Sequence, residues 1–148
     1  MKQIRNFVMT VACILFLSVA GYADDTPVAA DQLPAAVKTF VAKHFPKQKV
    51  VFAERDSGFL EKTKFELRLD DGSKVEVYKD GTWNKVENKT SGVPAGFAPK
   101  GIADFVKANY AAFVVIKVEK ERNGYEVELS NGVELKFNEQ SQLIGMDD

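Results

Sequence analysis

The sequence has one cysteine, Cys13, and one histidine, His44, in 148 residues. That scarcity excludes disulfide-stapled scaffolds and Cys/His zinc sites, which need several such residues at set spacings. Charge of one sign is also missing. Lys+Arg number 20 against 21 Asp+Glu, a net charge of -1, so there is no surplus of cations to grip a nucleic-acid backbone. Long apolar runs are absent as well. The uncharged stretch at residues 7–20 is 14 residues (20 − 7 + 1), short of the roughly 20 that a membrane-spanning helix needs. The hydrophobic share of 45% and charged share of 28% are those of an ordinary folded chain. The length suits one domain or two very small ones.

What is present begins with an address. Lys2 and Arg5 precede the uncharged stretch, and Ser18, Ala20, Gly21 and Ala23 follow as small residues. This is the order of a secretory signal peptide, here residues 1–23, with cleavage after Ala20 or Ala23. An uncleaved anchor is the alternative, disfavoured by the length. Cys13 does not suit lipidation, because Ile14, Leu15, Phe16 and Leu17 prolong the apolar region where a lipidated cysteine would end it. Removal of the leader leaves 148 − 23 = 125 residues with a charge of 18 − 21 = −3 and no thiol. A core of that size can be stable without disulfides. The expected location is the periplasm, with no transmembrane span after cleavage.

The mature chain repeats itself. A shift of 65 places Pro34 on Pro99, Val37 on Ile102, Phe40 on Phe105, Val41 on Val106, Phe45 on Tyr110 and Val50 on Val115. A shift of 60 then places Phe65 on Tyr125, Leu67 on Val127, Leu69 on Leu129, Gly72 on Gly132 and Val77 on Phe137. The first copy therefore has five extra residues between Glu54 and Phe65. Val37, Phe40, Val41 and Phe45 keep the spacing of one helical face, which predicts a helix over 35–45. Strands are predicted over 50–55, 65–69, 74–78 and 82–87, from branched residues, period-two alternation and the hairpin signals Asp71, Gly72 and Asp80, Gly81. The second copy predicts a helix over 101–110 and strands over 114–121, 125–129, 133–137 and 142–146. Residues 88–97, with Ser91, Gly92, Pro94 and Gly96, form the joint. The domains are thus 24–90 and 91–148, two repeats within one structural domain.

One amphipathic helix covers only one face of a four-stranded sheet, so the other face is open. It is charged, with Glu66, Arg68, Lys74 and Glu76 in copy one and Glu126, Glu128, Glu134 and Lys136 in copy two. Cross-strand ion pairing on a solvated face is the plain interpretation.

Leu33 and Pro34 with Val37, Phe40, Val41 and Phe45, the strand pair 65–69 and 74–78 around Asp70, Asp71 and Gly72, and the turn Lys79, Asp80, Gly81 into Thr82 and Trp83 resemble the exported PepSY-like, β-lactamase-inhibitor-like (BLIP-like) periplasmic proteins. Residues 125–129 repeat the pattern. The resemblance implies an α+β fold: two tandem α-β-β-β-β repeats forming a continuous antiparallel sheet with the helices packed on one face. It also implies a periplasmic, non-enzymatic protein. Inhibition of a β-lactamase does not follow, because fold does not bring function with it.

No catalytic residue is assigned. The serines at 57, 73, 91, 130 and 141 lie in no G-x-S-x-G pattern, and His44, matched by Asn109 in copy two, has no identifiable partner for base catalysis. Asp70, Asp71 and Asp80 lie in hairpin turns and define a possible calcium site, with no other cofactor expected, although Asp-Gly is ordinary turn chemistry. A protein or peptide partner is the main expectation. Phe52, Tyr78 and Trp83 stand where copy two has Lys117, Asn138 and Leu143. Alternation, with Val51, Ala53, Val75 and Val77 inward, sends Phe52 and Tyr78 to the helix-free face. The insertion lengthens a hairpin at 56–62 with Phe59 and Leu60 at its tip. Exposed aromatics beside charged groups are the usual content of a binding hot spot. The competing expectation is that Trp83 packs over the helix end and that Phe59 and Leu60 fold onto the core. The sequon at Asn88 carries no meaning in a bacterial periplasm.

Overall fold

A computed structural model describes residues 25–57 and 62–148. The leader and the hairpin tip with Phe59 and Leu60 lie outside the described residues. The order is strand β1 (Thr26–Pro27), a 3-10 turn (Ala30–Gln32), helix α1 (Ala35–His44), then β2 (Val50–Asp56), β3 (Lys64–Leu69), β4 (Lys74–Tyr78) and β5 (Trp83–Glu87). Helix α2 (Lys100–Asn109), β6 (Val115–Glu121), β7 (Gly124–Leu129), β8 (Glu134–Asn138) and β9 (Leu143–Asp147) repeat the pattern. Among the described residues all nine strands form one antiparallel sheet in chain order. Short β1 and the 3-10 turn were not predicted from the sequence.

The two copies share their irregularities. Pro34 and Pro99 are the residues before the helices, with φ of −53° and −52°. A proline suits a helix start because its missing N–H would have no helical partner there. Both helices end alike, with Phe45 N donating to Val41 O at 2.8 Å and Tyr110 N to Val106 O at 2.7 Å. The register slips between Val50 and Phe52 against β3 and between Val115 and Lys117 against β7. It slips again around Asn84 and Ile144 in the last strand of each copy. These matched bulges correct one expectation. Val51 does not point inward but is 64% exposed, because the bulge inserts one residue and hands the core contact to Val50 and Ala53.

Alternation otherwise sorts the faces as period two requires. Phe65, Leu67, Leu69, Val75, Val77 and Val86 are buried under α1 with Val37, Phe40 and Phe45. Val118, Val127, Leu129, Leu135 and Phe137 are buried under α2 with Ile102 and Val106. Full burial of each such side chain is worth about 1.5–3 kcal/mol before chain entropy is charged against it. The two clusters touch at Trp83 and Val93, which pack on both.

The joint is not a loose linker. Phe97 is buried in the first repeat's core, its ring 5.7 Å from Phe45, 6.2 Å from Phe40 and 5.2 Å edge-on to Trp83. Upstream, buried Asn88 donates to Ser73 Oγ at 3.0 Å and accepts from the N–H groups of Thr90 and Ser91 at 3.0 and 2.9 Å. The asparagine of the sequon is therefore a structural brace.

Candidate binding face

The helix-free face collects every second residue of the strands. Several directly opposed pairs are of like sign: Glu66 faces Glu76, Arg68 faces Lys74 and Glu128 faces Glu134. Like charges in direct opposition are destabilising, so counter-ions from neighbouring positions must hold the face together. In copy one Glu76 is the centre, with Lys64 Nζ at 3.1 Å, Lys85 Nζ at 3.3 Å and Asn84 Nδ2 at 3.2 Å. Burial alone would raise the Glu76 pKa, but hydrogen bonding to Lys64 and the charge of Lys85 outweigh it and hold the carboxyl below its usual range. In copy two the centre has the opposite sign. Lys117 Nζ lies 2.9 Å from Glu126, 3.2 Å from Glu134 and 3.6 Å from Glu128, and these carboxylates overcome its desolvation and raise its pKa. Lys85 also reaches Glu119 at 3.2 Å and ties the two repeats together.

Phe52 stands where Lys117 stands in copy two. It is opposite Arg68, whose guanidinium carbon lies 5.1 Å from the ring centroid, and it remains 37% exposed. A guanidinium at that distance from an aromatic face is attracted by the ring quadrupole. Val51, Phe52 and Ala53 also border a shallow hollow with Pro27 of β1 and Val28 just after it. Tyr78 is half-buried, and its hydroxyl donates to Asn84 Oδ1 at 3.3 Å. Trp83 differs from the exposed hot-spot expectation. It is half-buried between the two cores, with Lys120 Nζ 4.1 Å from its ring centroid, because β5 passes its outer edge to β6 and the ring fills the seam. Trp83 and Phe52 are thus not in one patch.

The three turn aspartates are not brought together. Asp70 and Asp71 lie between β3 and β4, and Asp80 lies between β4 and β5, so a whole strand of roughly 16 Å separates them. Sequence-adjacent turns of a meander fall at opposite ends of the strand that joins them, and a shared calcium site of Asp70, Asp71 and Asp80 does not form. Asp71 and Asp80 brace their own turns, and Asp70 ties its turn to the segment before β2. Asp70 Oδ1 accepts from Lys49 N at 3.0 Å, Asp71 Oδ1 from Ser73 N at 2.9 Å and Asp80 Oδ1 from Thr82 N at 2.9 Å. Asn131 does the same for Val133 N at 3.2 Å in copy two. Among the described residues no group of three His, Cys, Asp or Glu is placed to hold a metal ion.

His44 lies at the end of α1 with its ring 4.7 Å from Phe40 and 5.1 Å from Phe97. Desolvation against these rings, then the charge of Lys43, lowers its pKa. Sequence reasoning missed an apolar cleft of about 460 Å³ beside α2, bordered by Val93, Ala98, Val106, Tyr110, Phe113 and Val115. The repeat alignment contained its signal: Ala98 falls on Leu33, which is 4% exposed in copy one. The smaller side chain leaves volume there.

Comparison with known proteins agrees with this architecture. The family described as "Putative beta-lactamase-inhibitor-like, PepSY-like" matches residues 22–71 and again 63–145. The chain belongs to this family. The first match covers β1 to β3 of the first repeat, and the second runs from β3 of the first repeat through the second repeat. A "putative calcium-regulated periplasmic protein" from Bacteroides thetaiotaomicron is 38% identical with a TM-score of 0.77, the likeness covering 84% of this chain and 98% of that one. A "putative periplasmic protein" from Bacteroides vulgatus is 36% identical with a TM-score of 0.78, over 86% of this chain and 100% of that one. A second from the same species, "of unknown function", is 30% identical with a TM-score of 0.78, over 84% and 99%. No curated protein matches the chain. Among the described residues no helix is long and apolar enough to cross a membrane.

Proposed function

We propose that the chain is an exported, non-enzymatic periplasmic module that binds a protein or peptide through the open sheet face and the long first hairpin of repeat one. One observation carries this reading. Where repeat two holds its ion-pair hub, Lys117, repeat one places an aromatic ring, Phe52, exposed on an otherwise charge-paired face. An apolar group rimmed by ordered charges supplies desolvation energy at its centre and orientation at its edge. Family membership and the periplasmic description of the relatives support the location, and the leader-like residues 1–23 supply the route.

Site-specific photo-crosslinking in the native envelope tests the reading. A photoreactive residue at Phe52 is expected to yield a discrete adduct, and one at Lys107 on the helix side is expected to yield none. Tyr78→Ser and Phe59→Asp should abolish that adduct, and Phe52→Ser should abolish capture of the partner in pull-downs from periplasmic extract, all with the melting temperature nearly unchanged. A large loss of stability in these variants would assign the residues to the core instead.

A cation-responsive module is the second reading, favoured by the description of the Bacteroides thetaiotaomicron relative as calcium-regulated. It would have to use Asp70 and Asp71 without Asp80. Calorimetric titration with calcium that gives no heat would remove it.

A further inference from the structure

At the cleft beside α2 the internal duplication shows what the chain itself puts in the matching place. Under the 65-residue shift, copy one closes that groove with its own side chains. Leu33 is buried in the first core, and Lys38 Nζ donates to the Asp31 carbonyl, strapping α1 to the 3-10 turn. In copy two Ala98 and Ala103 stand where Leu33 and Lys38 stand. The aliphatic plug and the strap are gone, and the cleft of about 460 Å³ lies where they would be. Small-molecule sites commonly have volumes of about 300–1,000 Å³.

Two further differences add groups to the site rather than empty it. Gln48 and Phe113 follow the helices in matched turns, the N–H of each donating to the carbonyl three residues back. Copy two therefore places a ring, 40% exposed, at the rim where copy one has an amide. Ala42 is matched by Lys107, the one charged residue lining the cleft among the described residues. Lys107 takes part in no ion pair among the described residues, since Asp104, one turn earlier on α2, is held by Lys100. The carbonyls at the end of α2, which would repel an anion, are engaged: Phe105 O accepts from Asn109 Nδ2 and Tyr110 O from Phe113 N, both at 2.9 Å.

We propose that this cleft binds a free fatty-acid anion, with the aliphatic chain along Ala98, Val106 and Val115 and the carboxylate on the Lys107 ammonium. The aliphatic half follows from copy one, whose groove holds an aliphatic side chain. The anionic half follows from the unpaired cation at the rim, which would repel a cationic amphiphile. The cleft is on the helix side of the sheet and Phe52 is on the other, so this site is separate from the open face.

Calorimetric titration of the purified protein with sodium decanoate, kept below its micelle concentration, tests the proposal. One saturable site is expected, with octanoate weaker by roughly tenfold for its two missing methylenes. Amide chemical shifts should move in residues 93–98 and 103–115. Lys107→Gln should weaken decanoate by roughly threefold and leave 1-decanol unaffected. Ala98→Leu restores the plug of copy one and should abolish binding with the melting temperature kept or raised. Ala103→Glu, on the exposed surface of α2 where folding is not at stake, should weaken decanoate and not decanol. Absence of saturable binding, shifts located elsewhere, or a Lys107→Gln variant that treats decanoate and decanol alike would overturn the proposal. So would an unchanged decanoate affinity in a folded Ala98→Leu variant. Sedimentation with phosphatidylglycerol vesicles that Ala98→Leu removes, without binding of decanoate, would overturn the choice of a free acid. Phe52→Ser should leave decanoate affinity unchanged, so failure here is distinguishable from failure of the open-face reading.

Discussion

Gly81 and Ser141 occupy the same turn position in the two copies, and both have positive φ, +86° and +61°. The left-handed region is free for glycine and costs another residue on the order of 1 kcal/mol. The reason copy two accepts serine is found across the interface. The turn touches the first turn of the helix, where copy one has Ala36 and copy two has Gly101. A Cβ on Gly81 would lie 3.0 Å from Ala36 O and 3.2 Å from its Cβ, and a Cβ on Gly101 would lie 2.7 Å from Ser141 Cβ. There is room for one Cβ per contact. We expect Gly101→Ala to lose about 1–2 kcal/mol despite alanine's helix propensity, Ser141→Gly to be neutral or stabilising, and the double variant to recover the loss. Denaturant midpoints of the four proteins would measure the coupling, and strict additivity would contradict it. At Glu76 the expectation concerns pH. Its folded pKa lies below the ordinary carboxylate value, so its contribution is complete above that value and fades as pH falls through the folded pKa. Glu76→Gln should cost about 1 kcal/mol at neutral pH, and the gap to the parent should close on acidification below about pH 4.

At the scale of elements, each helix covers four strands and leaves four strands' worth of outer face in water, which is why charge and aromatic placement on that face can diverge between the copies without loss of the fold. The connection between the copies is less free. Phe97, a single aromatic in a segment rich in proline and glycine, closes the first core from outside its own repeat. Phe97→Ala should therefore cost about 3–5 kcal/mol, as for a large aromatic removed from a packed core, and chemical denaturation would read it directly. Asn88→Ala should cost about 1–3 kcal/mol by orphaning buried polar groups. Neither residue was legible as important in the sequence, because both lie in the joint, where no hydrophobic period reports on burial. The strands and helices were legible, to within one or two residues at their ends, because period two and period 3.6 follow from backbone geometry. The bulges were not, since an extra residue in a branched run such as Val50, Val51 and Phe52 leaves composition unchanged.

For the molecule as a whole, the shared packing of Trp83 and Val93 on both cores makes the repeats interdependent. Residues 24–90 expressed alone would lack Phe97 and expose the outer edge of β5 with Trp83 and Val86. No cooperative thermal transition is expected for that fragment, whereas the entire chain should unfold in one. A sharp transition for the fragment would show that each repeat is self-sufficient. The sequence by itself determined the doubling, the number and order of the main elements, and the charged character of the open face, because each is a periodicity along the chain that needs no knowledge of distant contacts. Tertiary structure alone decided that the turn aspartates stand a strand apart, that Trp83 fills a seam, that Phe97 belongs to the first core and that, among the described residues, β9 has a strand on one side only. Those outcomes depend on which segments lie beside one another in space, and burial and strand pairing between distant segments leave no local period to read.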